Sequence, residues 1–331
     1  MAFYLTQVAY YCQKPDHNLV NIGFNMSSAS KKVIWAALIG NGLIAITKFI
    51  AAVFTGSSAM LSEGIHSLVD TGNQVLLLYG LKRSQAPPDD HFPFGHGKEV
   101  YFWSFVVAIL IFAVGAGISL YEGIVHILHP SRMANPYINY LVLGFAFLFE
   151  GAAWLFALRE FSRAKGKWGY LEAVRRGKNP SLFVVLFEDS AAMLGLGVAF
   201  LGIYITQATG NPFYDGLASI VIGLILGGTA IWLAHETKGL LIGESANREI
   251  VHGIRILASS YPQVESVNEV LTLHMGPDYI LTNISLDFVD TVPAGQVEDV
   301  LELIRIAIKE EYPQVKRVFA EPRKPVNEVS S

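Results

Sequence analysis

Six long apolar runs dominate the first three-quarters of this chain, and they limit what it can fold into more than any other feature. A helix needs about 20 apolar residues to cross a bilayer core. The runs cover 33–54, 59–81, 100–128, 138–158, 182–207 and 217–234. Turn chemistry separates them, as in Thr55-Gly56-Ser57-Ser58, the Pro-punctuated stretch 129–136, and Thr209-Gly210-Asn211-Pro212. The third run is long enough to tilt or to project past the bilayer.

Charge divides the chain in the same place. From Glu244 to the end, 22 of 88 residues are charged, whereas the first 243 residues hold only 30. The expected architecture is an α-helical membrane domain of six transmembrane helices plus a small cytoplasmic α+β domain. The boundaries are an N-terminal cytoplasmic segment at 1–32, the membrane domain at 33–243, the soluble domain at 244–322 and a tail at 323–331. Lysine and arginine cluster between runs four and five (Arg159, Arg163, Lys165, Lys167, Arg175, Arg176, Lys178) and between runs two and three (Lys82, Arg83, Lys98). The alternate loops hold only Arg132, so both termini are expected in the cytoplasm.

Composition excludes several classes. A net charge of −4 argues against a general nucleic-acid footprint. One cysteine, Cys12, forbids an intramolecular disulfide or a multi-cysteine metal site. No signal-peptide pattern opens the chain, so targeting is expected from the spans themselves.

Ionisable residues interrupt the apolar runs. Lys48 lies near an outer helix end and is expected to snorkel. Glu63, His66 and Asp70 in run two and Glu188 and Asp189 in run five are harder to place, because a mid-membrane carboxylate costs at least ~2.5–3.5 kcal/mol. His66 and Asp70 are four apart and Glu63 is three before His66, so all three share one helical face, which Asn73 extends. Asp70 lies ~18 Å from Lys82 and Asp189 ~12 Å from Ser181 at 1.5 Å per residue, both near the middle of the core. An imidazole with carboxylates from two helices is a ligand set for a divalent cation, and mixed nitrogen and oxygen donors suit Zn2+ better than Mg2+ or Ca2+. The alternative is a buried hydrogen-bonded network that only fixes helix packing. Glu63 is expected behind the ligands or at a water-filled vestibule.

At these residues the chain resembles the cation diffusion facilitator family, including its zinc-transporter branch. The resemblance spans residues 30–322 and rests on SEGIHSLVDTGNQ, FPFGHGKEV, EDSAAMLGLG and YDGLASIVIGLILG. It implies a homodimer that alternates between inward- and outward-open states, holds metal between helices two and five and exchanges it for protons. It implies that His66 and Asp70 are the helix-two ligands and Asp189 the last helix-five ligand. The ligand the family places four residues before that aspartate is here Val185, which cannot bind metal. Glu188 is the obvious substitute, but it lies ~100° around the helix from Asp189, so either the helix is locally distorted, Glu188 stands behind the ligands, or water completes the site. The resemblance also matches His96 to a loop metal position, with His91 and Asp89 as partners; the simpler reading is a loop that caps and orients helix three.

The tail alternates at period two through Ile280, Thr282, Ile284, Leu286 and Phe288, between helical stripes at 247–260 and 297–308. Helix, two strands, helix, strand gives an αββαβ, ferredoxin-like unit, which looks like the family's dimerisation domain. The positions that hold paired metals there in some relatives match Asn268, Ser285 and Ala320, which implies no such site. His274 near Asp278 is a weaker donor pair, with a surface histidine as the simpler reading.

The expected function is a Zn2+/H+ antiporter that exports zinc from the cytoplasm by alternating access. Zinc is then cargo, with no resident cofactor. Ligation requires neutral imidazole, so cation binding expels a proton and His66 is the expected coupling group. The alternatives are another divalent cation (Co2+, Fe2+, Mn2+, Cd2+) or a non-transporting membrane metal sensor. No enzyme is expected: neither HExxH nor a Walker A sequence occurs. The expected location is the bacterial inner membrane, with the lipid bilayer, protons and a second copy of the chain as partners.

Overall fold

The computed structural model describes residues 26–56, 58–130, 136–177 and 179–324. Cys12, His17, Arg132, Lys178 and the tail from 325 onward lie outside the described residues. The described chain divides into two compact units: Ser27–Ser245 with His274–Pro277, and Ala246–Leu273 with the chain from Asp278 onward.

The first unit is helical: α1 (Met26–Thr55), α2 (Ser58–Arg83), α3 (Glu99–Leu110), a π-helical segment (Ile111–Ala116), α4 (Gly117–Leu128), α5 (Pro136–Ala164), the short α6 (Tyr170–Arg176), α7 (Pro180–Thr209) and α8 (Phe213–Ile242). Residues 26–32, within the N-terminal segment, form the first turns of α1, and MSSASKK contains no helix breaker. Among the described residues, five helices are long and apolar enough to cross a membrane: Val33–Thr55, Glu99–Leu128, Tyr137–Ala164, Pro180–Thr209 and Phe213–Ile242. The sixth is α2, whose 26 residues reach ~39 Å at 1.5 Å each. Its apolar character is diluted by the polar face from Glu63 to Gln74, and that face is turned inward.

Large apolar side chains such as Leu43, Ile50, Leu141 and Phe145 are exposed on the outer faces of α1 and α5, as hydrocarbon requires. Helix α7 is the most enclosed, with 67% of its apolar window buried. Pro180 starts it, where its missing N–H costs nothing. It packs against α2, α5 and α8, and Trp154 Nε1 donates to Ser190 Oγ at 2.9 Å across the α5–α7 contact. Thr55 Oγ1 donates to Asn139 Oδ1 at 2.8 Å and ties α1 to α5. Helices α4 and α8 approach at Gly123 and Gly216, where a Cβ on Gly123 would meet the Gly216 carbonyl oxygen at 2.7 Å. The long third span is one helical run whose middle widens into the π segment, the kind of bulge often found at functional sites.

The second unit contains α9 (Arg248–Ser259), β1 (Val264–Gly276, whose end from His274 falls in the first unit), β2 (Tyr279–Phe288), α10 (Ala294–Glu311) and β3 (Val315–Pro322), the expected αββαβ order. The sheet order is β1-β2-β3. Two residues join β1 to β2, a link that only an antiparallel pair can use. β2 and β3 are parallel, with Ile280 opposite Val315 and Ile284 opposite Ala320, so α10 forms the crossover. Ile254, Ile280, Ile284, Leu286, Ile304 and Ile308 are fully buried between helices and sheet. Each contributes about 1.5–3 kcal/mol of apolar burial.

Candidate functional site

Helix α2 brings a line of polar side chains into the protein. Ser62, Glu63, His66, Ser67, Asp70, Asn73 and Gln74 are all buried, following the three-and-four spacing of one helical face. Facing them from α7 are Glu188 and Asp189, also buried.

His66 Nδ1 lies 3.3 Å from Asp70 Oδ1, an ion-pair distance without hydrogen-bond alignment. The carboxylates of Asp70 and Glu188 face each other across the two helices. Asn73 Nδ2 donates to Glu188 Oε1 at 2.6 Å. Asp189 lies within electrostatic reach of Glu188 and Asp70. Helix α7 runs unbroken through these positions, so Glu188 meets α2 by the reach of its side chain and not by a local distortion. Val185 is buried one turn earlier and offers no donor.

Several polar atoms of this group have no hydrogen-bond partner: both ring nitrogens of His66, Asp70 Oδ1, Asn73 Oδ1, Glu188 Oε2 and Asp189 Oδ2. Such a concentration of unsatisfied buried acceptors is costly unless a cation, water or protons complete it. Among the described residues, no three His, Cys, Asp or Glu side chains are drawn together tightly enough to grip an ion. The arrangement is a line of donors along a helix interface, not a closed cage. An apolar cavity of about 410 Å3 opens beside it, lined by Val69, Gly72, Leu76, Leu110 and Val114, with Asn73 at its edge. Leu110 and Val114 bring the start of the π segment to this wall.

Lys48 does not snorkel. It is wholly buried, and its ammonium donates to Glu63 Oε2 (2.9 Å), Ser67 Oγ (2.9 Å) and Glu150 Oε1 (2.8 Å). The correction has a simple cause. Lys48 faces α2 and α5, and carboxylates on both neutralise it more closely than distant water could. Glu63 is therefore engaged with Lys48. Glu150 was missed from sequence; a lone carboxylate in the fourth apolar run was the available signal.

In the loop after α2, Asp89 Oδ1 accepts the backbone N–H groups of His91 (2.9 Å) and Phe92 (2.7 Å). Its other oxygen lies 2.9 Å from His96 Nε2. The hydrogen bond from His96, then that from Phe92, holds the Asp89 carboxyl below the usual carboxylate range. His96 is buried and sits 3.9 Å from Glu99. The exposed His91 joins only through its backbone, so this geometry is that of a capped turn. His252 of the second unit is exposed, whereas His274, grouped with the first unit, is buried rather than at the surface.

The family model for the cation efflux transmembrane domain matches residues 34–242. The chain is 38% identical over 260 residues to a Xenopus laevis protein named proton-coupled zinc antiporter SLC30A9, mitochondrial, covering 78% of this chain and 46% of that one. It is 31% identical over 261 residues to metal tolerance protein C4 of Arabidopsis thaliana, covering 78% and 57%. It is 23% identical over 297 residues to the manganese efflux system protein MneP of Bacillus subtilis, covering 88% and 94%. The chain thus spans about half the length of the first of these relatives.

Proposed function

We propose that this chain, which belongs to the cation efflux family, carries a divalent cation across a membrane between α2 and α7. The observation that supports this most is the set of buried, unpartnered donor atoms on His66, Asp70, Glu188 and Asp189. A cation passing that point would find one nitrogen and several oxygen donors without displacing existing bonds. Zinc suits a mixed donor set of this kind. The Xenopus relative, named a proton-coupled zinc antiporter, also supports zinc exchange for protons.

His66, Asp70 and Asp189 are the ligands in this reading. Glu188, oriented by Asn73, takes the place that Val185 cannot fill. The cation is cargo and the chain is a transporter, not an enzyme. Alternating access moves zinc from the face that carries the lysine- and arginine-rich loops. That face is the cytoplasm of a bacterial inner membrane, and the αββαβ unit pairs two copies there. The oxygen-rich donor set favours one second reading, Mn2+, which carboxylates suit well. The test is uptake into proteoliposomes across a panel of divalent metals, with and without a pH gradient. We expect zinc uptake that the gradient drives. Flux with manganese but not zinc would replace the cargo, and no flux of any metal would reject transport.

A further inference from the structure

The membrane unit holds a second charged cluster that the metal pathway does not use. Lys48 on α1, Glu63 on α2 and Glu150 on α5 are 0%, 0% and 4% exposed. All three N–H groups of the ammonium are committed, to Glu63, Ser67 and Glu150. The cluster has one positive charge and two carboxylates. Each carboxylate also has one oxygen, Glu63 Oε1 and Glu150 Oε2, that is buried without a partner. The Glu63 oxygen has room only because residue 195 of α7 is glycine, where a Cβ would lie 2.6 Å from it. An uncompensated charge enclosed this fully is expensive.

We propose that the Lys48–Glu63–Glu150 cluster is a proton-binding site separate from the metal donors. A proton from water forms an O–H bond at one of the two free carboxylate oxygens, taking the cluster from −1 to neutral. On release that bond breaks, the proton returns to water and the electron pair stays on the carboxylate. The surrounding titratable groups are His66 and Asp70 on α2 and Glu188 and Asp189 on α7. Lys48 acts electrostatically on His66, and Glu150 on Asp70 and Asp189. A divalent cation among those donors repels the cluster's proton, and by linkage the proton weakens cation binding equally. The proposal rests on the metal-transport reading for its coupling, though not for the proton site itself.

Two measurements on the full chain test it. The first is infrared titration of the metal-free protein for protonated carboxylic acids. We expect a carboxylic-acid signal that persists in Asp70→Asn/Glu188→Gln/Asp189→Asn and is lost when either Glu63→Gln or Glu150→Gln is added to that protein, since each leaves a neutral ion pair that favours folding. Absence of the signal from the Asp70→Asn/Glu188→Gln/Asp189→Asn protein overturns the site, and that arm needs no variant of the cluster to fold. The second is calorimetry of zinc binding in buffers of different ionisation enthalpy. We expect Glu150→Gln to release about one proton fewer per zinc than the parent. An unchanged proton count overturns the coupling. A parent that moves no metal, with the signal kept in the Asp70→Asn/Glu188→Gln/Asp189→Asn protein, would reject the transport reading while supporting the proton site.

Discussion

Two polar clusters lie buried in the same membrane unit, and they are built in opposite ways. Around Lys48 every donor has an acceptor, at 2.8–2.9 Å. Around His66 and Asp70 the approach is looser, at 3.3 Å, and donor atoms on both helices lack partners. A cluster built around a lysine tethered to α1 already holds its metal-like cation and has room left only for a proton. An open line of donors has capacity left for a cation that comes and goes. Three charges in one cluster and four ionisable groups in the other therefore do different work at similar burial.

The largest effect expected from breaking this contrast is on the open cluster. Asp70→Ala and Asp189→Ala should each reduce zinc flux by more than about 100-fold, beyond the roughly 10–100-fold typical of partners behind the ligands. Both variants should keep the parent's circular dichroism and elution volume. Normal flux in either would move the metal site elsewhere.

The closed cluster should respond in stability. Lys48→Met strands two carboxylates and should cost about 3–5 kcal/mol, as breaking a buried pair does. Replacing all three charged groups together, with Met at 48 and Gln at 63 and 150, should restore most of the loss. Thermal unfolding in detergent reads both. If the triple variant is no more stable than the single one, the loss does not come from the stranded carboxylates.

Within the open cluster a smaller difference separates the neighbouring carboxylates. Glu188→Gln should weaken zinc transport less than Asp189→Asn, and Asn73→Ala should weaken it about tenfold by freeing Glu188, the loss of a charge-assisted bond of roughly 1.5–3 kcal/mol. Flux as a function of zinc concentration ranks the three. A larger loss from Glu188→Gln than from Asp189→Asn would make Glu188 the principal ligand.

The smallest effect belongs to the loop, where the contacts are exposed to water. The Asp89 carboxyl is held below its ordinary value of 3.8, so its bonds are fully present above that pH and lost as pH falls through the lower, folded value. Hydrogen exchange at the Phe92 amide should therefore stay protected at pH 4 and above, and lose protection below that range. Protection unchanged as the pH falls through that range would mean that the Asp89 carboxylate does not hold the turn.

The sequence by itself determined the helical spans, the polar face of α2 and the αββαβ order of the tail. Each follows from a period, 3.6 residues or two, that the chain carries locally. It also placed His66, Asp70 and Asn73 on one face, because that placement needs only their spacing. Only the tertiary structure decided which helices stand beside one another. Between helices in lipid the apolar pattern is a weak guide, since every outward face is greasy and small residues and polar pairs set the neighbours. Lys48 and Glu150 are 102 residues apart, and nothing local to either marks the other as its partner. The same holds for Glu188, whose bond to Asn73 crosses 115 residues and is decided by how closely α2 and α7 pack.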